Sequence, residues 1–415
     1  MLLRSECSSI RMIRIGLIGK TNTGKTTFFN AATLQSARIS TYPFTTKTPN
    51  VGIANVQTLC ACRELGVKDN PVNSKCIGGW RFIPVELIDL PGLIKGAWAG
   101  KGLGNQFLNV AAQADALLHI VDASGGVDAE GRISKPGTGN PILDICDIEE
   151  ELVMWFTATI QRTLKRVVKR MARTRVTIEE ALSKELAGLK VKPEQVKLAL
   201  ESTGLESKQI DKWKEQDLRE LGLQIRILSK PTLIIANKMD VPFAEKYFEK
   251  IAEQFKTSVV VPCCSEAELA LRRAEDKGFI EYVPGEETFK VIERSRLTKE
   301  QLWALNYVQQ RVLSKWLRTG VQFALNMCVF KLLGMNSVYP VENEKELSDK
   351  KKRVLPHVFL VPPTATAKEL AQQIHSDLAR TMLYALDART GIRLPTDYVL
   401  RDRDIVKIVS TARRK

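Results

Sequence analysis

Histidine is scarce in this chain, and cysteines with paired CxxC spacing are missing. Among 415 residues there are only three histidines, and none of the eight cysteines forms a CxxC pair. His119 lies within the apolar stretch DALLHIVDA, which predicts a packed core side chain rather than a ligand. The dispersed cysteines are predicted to be mostly small core residues. The sequence therefore argues against histidine-based catalysis and gives little support to a zinc site.

Long hydrophobic runs are also missing. No apolar stretch reaches the length needed to cross a bilayer, and the N-terminal residues MLLRSECSSIRM lack the apolar centre of a signal peptide. We therefore expect a cytoplasmic protein without a membrane partner. Met12 directly precedes the first predicted strand, so both Met1 and Met12 are open as the natural start.

Positive charge is in clear excess. Lys and Arg number 62 against 47 Asp and Glu, a formal net charge of +15, which favours a polyanionic partner or surface. Solubility and electrostatic steering could use the same charge. The densest basic segment is IQRTLKRVVKRMARTR, residues 160–175, which contains no acidic residue. Two interpretations are open: a solvated helix face paired with Glu179, Glu180 and Glu185, or a contact surface for nucleic acid or the ribosome.

Short apolar stretches alternate with helical stretches along much of the chain. The apolar stretches cover residues 13–18, 51–56, 83–88, 116–121, 232–236 and 259–261. This alternation is typical of an α/β fold with a mainly parallel sheet and helices on both faces. Its two parts, 12–146 and 225–345, are separated by 147–224, which is rich in helix formers and charges and is predicted to be an inserted helical domain.

The C-terminal part has a different pattern. From Val354 onward, HVFLVP predicts a strand, and TAKELAQQIHSDLA predicts a helix opened by a capping box from Thr366 to Glu369. MLYALDARTGIRL and DIVKIVS predict further strands. Residues 354–415 are therefore predicted to form a small α+β domain.

The stretch GLIGKTNTGKTTFFN, residues 16–30, has the spacing GxxxxGK[ST] between a predicted strand and a predicted helix. In such a turn, backbone N–H groups and a helix N-terminus converge on an anion. Lys25 can reach the outer phosphates of a nucleotide, and the Thr26 hydroxyl can face a magnesium ion. The predicted nucleotide-binding residues of this loop are Asn22, Thr23, Gly24, Lys25, Thr26 and Thr27.

Two further motifs stand at the ends of predicted strands. In ELIDLPGL, Asp89 can hold a magnesium-bound water, and Gly92 lets a backbone N–H approach the terminal phosphate. In PTLIIANKMD, the Asp240 carboxylate can accept two hydrogen bonds from guanine that adenine does not offer. Asn237 is predicted to reach the base or brace the phosphate loop, and the Lys238 stem to cover the ring.

The stretch YPFTT, residues 42–46, lies between the first predicted helix and the second predicted strand. A threonine in such a loop can close over the nucleotide, with its hydroxyl on magnesium and its backbone N–H on the γ-phosphate. Thr46 is predicted to do this, and with Lys25 and Gly92 it forms the predicted catalytic set. An ordinary polar loop is the alternative for this stretch taken alone.

Together these residues resemble the Obg family of P-loop GTPases, and within it the archaeal-type YchF or Obg-like subfamily. The resemblance rests on GKTNTGKTTFFNAAT, YPFTTKTPNVG, DLPGLIKGAWAGKGLGNQFL, NKMD and CSEAELALRRA, and the last domain is similar to a ubiquitin-like TGS domain. It implies a GTPase domain in two segments, Mg²⁺ held by Thr26, Thr46 and Asp89, and base contacts from Cys264 and Ser265. The family usually has Ser and Ala at those last two positions.

Three positions bear on mechanism. Many GTPases keep a water-orienting glutamine after the glycine of the second motif, whereas this chain has Leu93, so the resemblance implies slow hydrolysis. Asn22 matches an asparagine that accompanies potassium dependence in related GTPases, which suggests K⁺ as a further cofactor. Bacterial and eukaryotic relatives often carry Glu in place of Asp240 and accept ATP, so we expect this chain to prefer GTP.

The sequence thus predicts a cytoplasmic GTPase that binds GTP and GDP and hydrolyses GTP slowly with Mg²⁺. It does not identify the oligomeric state, for which a monomer is favoured. The protein is expected to act as a nucleotide switch on the ribosome, ribosomal RNA or tRNA. Two alternatives are open. One is a nucleic-acid-binding or ribosome-binding scaffold with negligible turnover, which Leu93 and the net charge also suit. The other is an ATPase.

Overall fold

The computed structural model describes residues 12–36, 49–92, 96, 98 and 110–411. The chain divides into two compact units. The larger unit contains the described residues of Arg14–Gly52 and Leu87–Ala324, and the smaller unit contains those of Met1–Ile13, Ile53–Glu86 and Leu325–Lys415. Each unit has a buried apolar core of its own. None of the described helices combines the length and the apolar character required to span a bilayer.

Parallel strands form the centre of the larger unit: β1 (Arg14–Ile18), β5 (Ala116–Asp122), β6 (Thr232–Asn237) and β7 (Val260–Pro262). β1 pairs with β5, β5 with β6, and β6 with β7. Residues 50–52 of β2 (Asn50–Leu59) and 87–89 of β4 (Trp80–Asp89) continue the sheet beyond β1, in the order β2, β4, β1, β5, β6, β7. The predicted α/β fold with a mainly parallel sheet is confirmed.

The central strands are apolar because both faces of a parallel sheet are covered by the helices that connect its strands. Every residue of β5 is buried, and only Arg14 of β1 is not fully buried. His119, in the middle of β5, is 2% exposed, and burial lowers its pKa to about 3. It is therefore a neutral core residue, as predicted.

Between β5 and β6 the described chain forms four α-helices: α3 (Pro141–Thr174), α4 (Ile178–Glu185), α5 (Pro193–Thr203) and α6 (Glu215–Ser229). Asn140 caps α3, because its side-chain oxygen accepts a hydrogen bond from the Ile142 N–H, and Pro141 fits the first turn, where no N–H is needed. α3 and α6 approach closely: a Cβ at Gly222 would lie 2.4 Å from the Thr157 hydroxyl oxygen. The domain limits 12–146, 147–224 and 225–345 stay predictions.

Helices also flank the later strands of the sheet. α1 (Lys25–Thr33) follows β1, α7 (Ala244–Gln254) connects β6 to β7, and α8 (Ser265–Asp276) begins shortly after β7. β8 (Ile280–Glu281) and β9 (Lys290–Val291) form an antiparallel ribbon. Further helical elements of the chain are 3₁₀ turns at Ala187–Leu189, Ile210–Lys212 and Arg294–Arg296, helices α9 (Lys299–Tyr307), α10 (Ser314–Trp316) and α11 (Val321–Asn326), and π-helical turns at Val308–Leu313 and Met327–Leu332.

The smaller unit combines a hairpin with a second sheet. α2 (Ala61–Leu65) follows β2, and β3 (Lys75–Ile77) pairs antiparallel with β4 across a turn at Gly78 and Gly79. The second sheet has the order β11, β10, β14, β12, β13. Its strands are β10 (Asn336–Val341), β11 (Phe359–Val361), β12 (Met382–Asp387), β13 (Arg393–Leu394) and β14 (Ile405–Ser410).

Two helices, α12 (Ala367–Ile374) and α13 (Ser376–Arg380), pack against this second sheet. The predicted capping box is confirmed, because the side chains of Thr366 and Glu369 each accept a hydrogen bond from the backbone N–H of the other residue. β10 precedes residue 354 but pairs with both β11 and β14. The C-terminal sheet therefore includes a strand from before the predicted limit of 354–415, and that limit itself stays a prediction.

Candidate nucleotide site

The loop between β1 and α1 requires glycine at both ends. Gly19 has φ 143° and Gly24 has φ 100°, backbone conformations that side chains with a Cβ rarely adopt. A Cβ at Gly19 would lie 2.2 Å from the Ile120 carbonyl oxygen, and a Cβ at Gly24 would lie 2.2 Å from Asn237 Nδ2. The loop is therefore held closely against β5 and against the end of β6.

Lys25 lies at the start of α1 and is 7% exposed. Its Nζ donates a hydrogen bond to the Lys20 carbonyl oxygen at 2.6 Å. Burial lowers the pKa of Lys25 to about 8, while the nearby Asp89 carboxylate raises it. A buried ammonium group beside a helix N-terminus is suited to binding an anion. The negative charge of a bound anion would offset the cost of removing the ammonium group from water.

Asp89 ends β4 and is completely buried. Its Oδ2 accepts hydrogen bonds from Thr26 Oγ1 at 2.8 Å and from Asn50 Nδ2 at 3.3 Å. Its Oδ1 is buried without a hydrogen-bond partner among the described residues, and burial raises the pKa of this carboxyl. A carboxylate oxygen without a partner beside a hydroxyl is the donor set that Mg²⁺ prefers, so these residues fit a magnesium ion.

Asn237 and Lys238, at the end of β6, connect the base motif to the phosphate loop. Asn237 Nδ2 donates to the Thr23 carbonyl oxygen at 2.9 Å, and its Oδ1 accepts from the Ser265 N–H at 3.0 Å and the Ser265 hydroxyl at 2.9 Å. Lys238 Nζ donates to the Asn22 carbonyl oxygen at 2.9 Å and to Asp122 Oδ2 at 2.7 Å. These contacts fix the relative positions of three loops.

Asp240 stands beyond this network with two hydrogen-bond donors of its own. Cys264 Sγ donates to its Oδ1 at 2.9 Å, and the Tyr307 hydroxyl lies 3.4 Å from its Oδ2. Burial and the Asp240 charge raise the pKa of Cys264 well above its ordinary value, so this thiol stays protonated and remains a donor. Both contacts orient the carboxylate.

The fold brings most of the predicted site residues together. Hydrogen bonds link the phosphate loop to Asn237 and Lys238, and Asn237 in turn accepts a hydrogen bond from the Ser265 N–H. Thr27 lies in the first turn of α1. Gly92 lies against the loop, because a Cβ there would be 2.4 Å from Thr21 Oγ1. Thr46 and Leu93 lie outside the described residues.

Sequence reasoning missed three residues of this site. Asp122 ends β5 as Asp89 ends β4, so its strand-end position could have marked it. Asn50 begins β2 and donates to Asp89; it stands within the stretch YPFTTKTPNVG, in which only Thr46 was assigned a role. Tyr307 is separated from Asp240 by 67 positions and no local pattern points to it.

A further contact connects the segment after Gly92 to the long helix α3. Glu151, 4% exposed, accepts hydrogen bonds from the Gly96 N–H at 2.5 Å and the Trp98 N–H at 3.0 Å.

A phosphate loop between a strand and a helix, a buried carboxylate suited to a divalent cation and an NKxD sequence at the end of a neighbouring strand define the class: a P-loop GTPase. Residues 14–146 match the signature described as 50S ribosome-binding GTPase. Residues 235–343 match the Obg-like GTPase, YGR210-like, G4 motif-containing domain, and residues 350–410 match the TGS domain.

Individual relatives agree with these signatures. An uncharacterised GTP-binding protein of Methanocaldococcus jannaschii is 44% identical over 97% of this chain and 100% of its own length. The ribosome-binding ATPase YchF of Bacillus subtilis is 34% identical over 63% of this chain and 68% of its own length. The crystal structure of a GTP-binding protein from Pyrococcus horikoshii OT3 superposes with a TM-score of 0.77 at 33% identity, covering 96% of this chain and 100% of that one. The chain belongs to the YchF/Obg-like family of P-loop GTPases and ends in a TGS domain.

Proposed function

We propose that this chain binds GTP together with Mg²⁺ and hydrolyses it slowly to GDP and phosphate. The position of Asn237 carries the proposal. Its amide nitrogen bonds to Thr23 in the phosphate loop, and its oxygen bonds to Ser265 in the predicted base-contacting loop. One side chain thus links the two ends of the site, as a nucleotide bound across both would require.

Calorimetric titration with GTP tests this proposal. We expect Asn237→Ala to weaken GTP binding about tenfold or more, since two buried loops lose a shared hydrogen-bonding partner. Gln254→Ala, at the exposed end of α7, is the matched amide control and should bind like wild type. Equal GTP affinity in wild type and Asn237→Ala, or no binding by wild type, would contradict the proposal.

The described residues support hydrolysis by electrostatic stabilisation rather than by a side-chain base. Lys25 and the backbone N–H groups of the phosphate loop would neutralise the charge that develops on the phosphate oxygens during in-line attack by water. Thr26 and Asp89, with Thr46, would hold the magnesium ion, which adds further neutralisation when bound. Leu93 cannot orient water by hydrogen bonding, so intrinsic turnover should be slow.

Base selection favours GTP over ATP. The Asp240 carboxylate, oriented by Cys264 and Tyr307, can accept the two N–H groups of guanine, and adenine offers no such pair. The Bacillus subtilis relative is named an ATPase, so an ATPase is the alternative. Competition between GTP and ATP for the wild-type chain separates the two, and tighter binding of ATP would favour the alternative.

We also propose that potassium ions support turnover through Asn22. Asn22 has φ 63°, and its Nδ2 donates to the Gly131 carbonyl oxygen at 2.9 Å, which fixes the side chain at the surface of the phosphate loop. Phosphate release in potassium buffer should exceed that in sodium buffer at equal ionic strength. Equal rates in the two buffers would exclude this role.

We propose that the GTP-binding and hydrolysis cycle acts on the ribosome, ribosomal RNA or tRNA. The Bacillus subtilis relative is named ribosome-binding. In this chain, part of the basic segment is paired: Arg166 and Arg170 bond to Glu185 at 2.6 and 2.7 Å. Lys165, Lys169 and Arg173 are exposed on α3 and form no ion pair within the described part of the chain. We call these three residues the α3 basic face and propose that they contact phosphates.

Co-sedimentation with ribosomes in the presence of a GTP analogue, GDP or no nucleotide tests this role. A cytoplasmic monomer that switches with nucleotide should bind ribosomes more tightly in one nucleotide state. A scaffold with negligible turnover is the alternative, and two results would favour it: binding independent of nucleotide, and phosphate release that ribosomes do not change. Glu151 offers the coupling, since it connects the segment after Gly92 to the helix that carries the basic face.

A further inference from the structure

The smaller unit holds a cluster of side chains that can bind a metal ion, separate from the nucleotide site. We propose that Cys60, Cys62, Asp69 and Cys76 bind one structural zinc ion. Their ligand atoms all lie within 4.8 Å of one another. Cys62 Sγ and Cys76 Sγ are 3.7 Å apart, and Cys60 Sγ is 3.3 Å from Asp69 Oδ2.

The Cys62–Cys76 and Cys60–Asp69 separations agree with one tetrahedral ion. Zinc bonds of about 2.3 Å to sulfur and about 2.0 Å to oxygen require sulfur atoms about 3.8 Å apart and a sulfur to oxygen distance of about 3.5 Å. A disulfide would require the sulfur atoms of Cys62 and Cys76 to be about 2.05 Å apart. Three thiolates and one carboxylate form a closed set of four ligands, which is typical of structural rather than catalytic zinc.

The backbone already fixes the ligands. The Cys60 N–H donates to the Gly79 carbonyl oxygen at 2.9 Å, which ties the start of α2 to the β3–β4 turn. Cys62 lies in α2, and Cys76 lies on β3, paired with Arg81 of β4. The loop that contains Asp69 is anchored at its next residue, because the Asn70 N–H donates to the Val354 carbonyl oxygen at 2.8 Å. Little reorganisation is therefore needed to bind an ion.

The surroundings suit a negatively charged metal complex. Three thiolates and a carboxylate around Zn²⁺ carry a net charge of about −2. Arg81 is completely buried, with Nη1 3.5 Å from Asp69 Oδ2, and supplies an opposite charge. Tyr339 lies against Arg81, and its buried hydroxyl has no hydrogen-bond partner among the described residues.

The ion would fasten α2, the loop and β3 to one another. The same loop bonds to the segment 354–358, which leads into β11, through Asn70, Val72 and Asn73. Zinc binding should therefore stabilise the smaller unit and leave the nucleotide chemistry unchanged. In the reducing cytoplasm proposed as the location of this chain, clustered thiols are more consistent with a metal site than with a disulfide.

Metal analysis of the full-length protein, produced with zinc in the medium and purified without chelators, tests the proposal. We expect about one zinc per chain by inductively coupled plasma mass spectrometry. Cys60→Ser and Cys76→Ser should lose most of it, whereas Cys146→Ser, which alters an exposed cysteine of α3, should retain it. Asp69→Cys should retain zinc with four sulfur ligands, and Asp69→Asn should bind it more weakly.

Wild-type readouts keep the test independent of variant folding. Cobalt(II) substitution should produce the intense visible bands of a tetrahedral thiolate site, and zinc should protect the three cluster cysteines from alkylation in the intact chain. Each of three results would overturn the proposal: no zinc retained after incubation, equal zinc in wild type and Cys60→Ser/Cys76→Ser, or a Cys62–Cys76 disulfide in freshly purified protein.

Discussion

Asp89 and Asp122 end β4 and β5, both are buried, and their hydrogen bonding differs. Asp122 is fully matched by the protein: its Oδ1 accepts from the Ser124 N–H and hydroxyl, and its Oδ2 accepts from Lys238 at 2.7 Å. Asp89 keeps one buried oxygen without a partner among the described residues. A buried carboxylate oxygen without a hydrogen-bond partner is unfavourable, and a bound ligand such as a cation would supply that partner. Asp122, whose oxygens both have partners, therefore holds the site together, whereas Asp89 is available to bind a cation.

The largest expected effect is on turnover. Asp89→Asn should lower magnesium-dependent GTP hydrolysis by about two to three orders of magnitude, since the cation loses its carboxylate. The nucleotide-free chain should be as stable as wild type or more so. Burial raises the pKa of Asp89 above its unfolded value, so this group contributes stability only at low pH and is unfavourable when ionised at neutral pH. Phosphate-release assays and urea unfolding measure the two quantities, and a clear loss of stability would show that Asp89 is a structural residue.

Asp122→Asn, unlike Asp89→Asn, should lower the stability of the nucleotide-free chain. Lys238 would lose its ionic partner, and we expect a loss of about 2 kcal/mol in unfolding free energy, below the usual cost for a fully buried pair because Lys238 is partly exposed. Denaturant unfolding of the nucleotide-free chain measures this loss. Asp211→Asn, an exposed carboxyl in a 3₁₀ turn, is the control and should change little. An Asp122→Asn chain of unchanged stability would remove the distinction between the two carboxylates.

The basic segment of α3 likewise contains side chains with ion-pair partners and side chains without them among the described residues. Replacing the α3 basic face by alanine should weaken ribosome binding about tenfold near physiological salt and reduce the salt dependence of binding, because fewer counterions are released. Lys246, Lys256 and Lys290 are exposed elsewhere, and their triple alanine variant controls for net charge. Equal losses in the two variants would mean that binding follows overall charge rather than this surface.

The comparison also explains what the sequence could predict. The phosphate loop and NKxD are contiguous motifs whose local chemistry is readable, so Lys25, Asp89 and Asp240 could be assigned from their neighbours. Their partners come from distant positions: Asn237 and Thr23 are 214 residues apart, and Tyr307 reaches Asp240 from α9. Such contacts depend on tertiary packing, which no local pattern encodes.

The cysteine cluster shows the same limit. Cys60 and Cys62 are buried, as predicted for core residues, but the β3–β4 pairing also brings Cys76 to them. Their irregular spacing matches no common zinc motif, and the fourth ligand is an aspartate. The parallel sheet was easier to predict, because buried strands have a continuous apolar composition.

The protonation state of Lys25 should have a smaller effect on anion binding, and this effect should change gradually with pH. Its pKa of about 8 means that its charge disappears as the pH rises through that value. Between about pH 7.5 and pH 9 the charged fraction falls about eightfold, and affinity for tripolyphosphate, which has no base to ionise, should fall with it. Lys25→Arg stays charged and should show no such fall. Stability of the free chain should rise from about pH 8 towards pH 10.5, since the unfolded state then binds more protons.

The smallest effect concerns Cys264, whose thiol donates to Asp240 Oδ1. If the thiol only orients the carboxylate, Cys264→Ala should weaken GTP binding about threefold and Cys264→Ser should restore it, with Cys146→Ala as the control in calorimetry. Tighter binding by Cys264→Ala would mean that the thiol competes with guanine for the carboxylate. Asp240 would then resemble Asp122, a carboxylate already matched by the protein, and base selection would depend on how readily the thiol gives way.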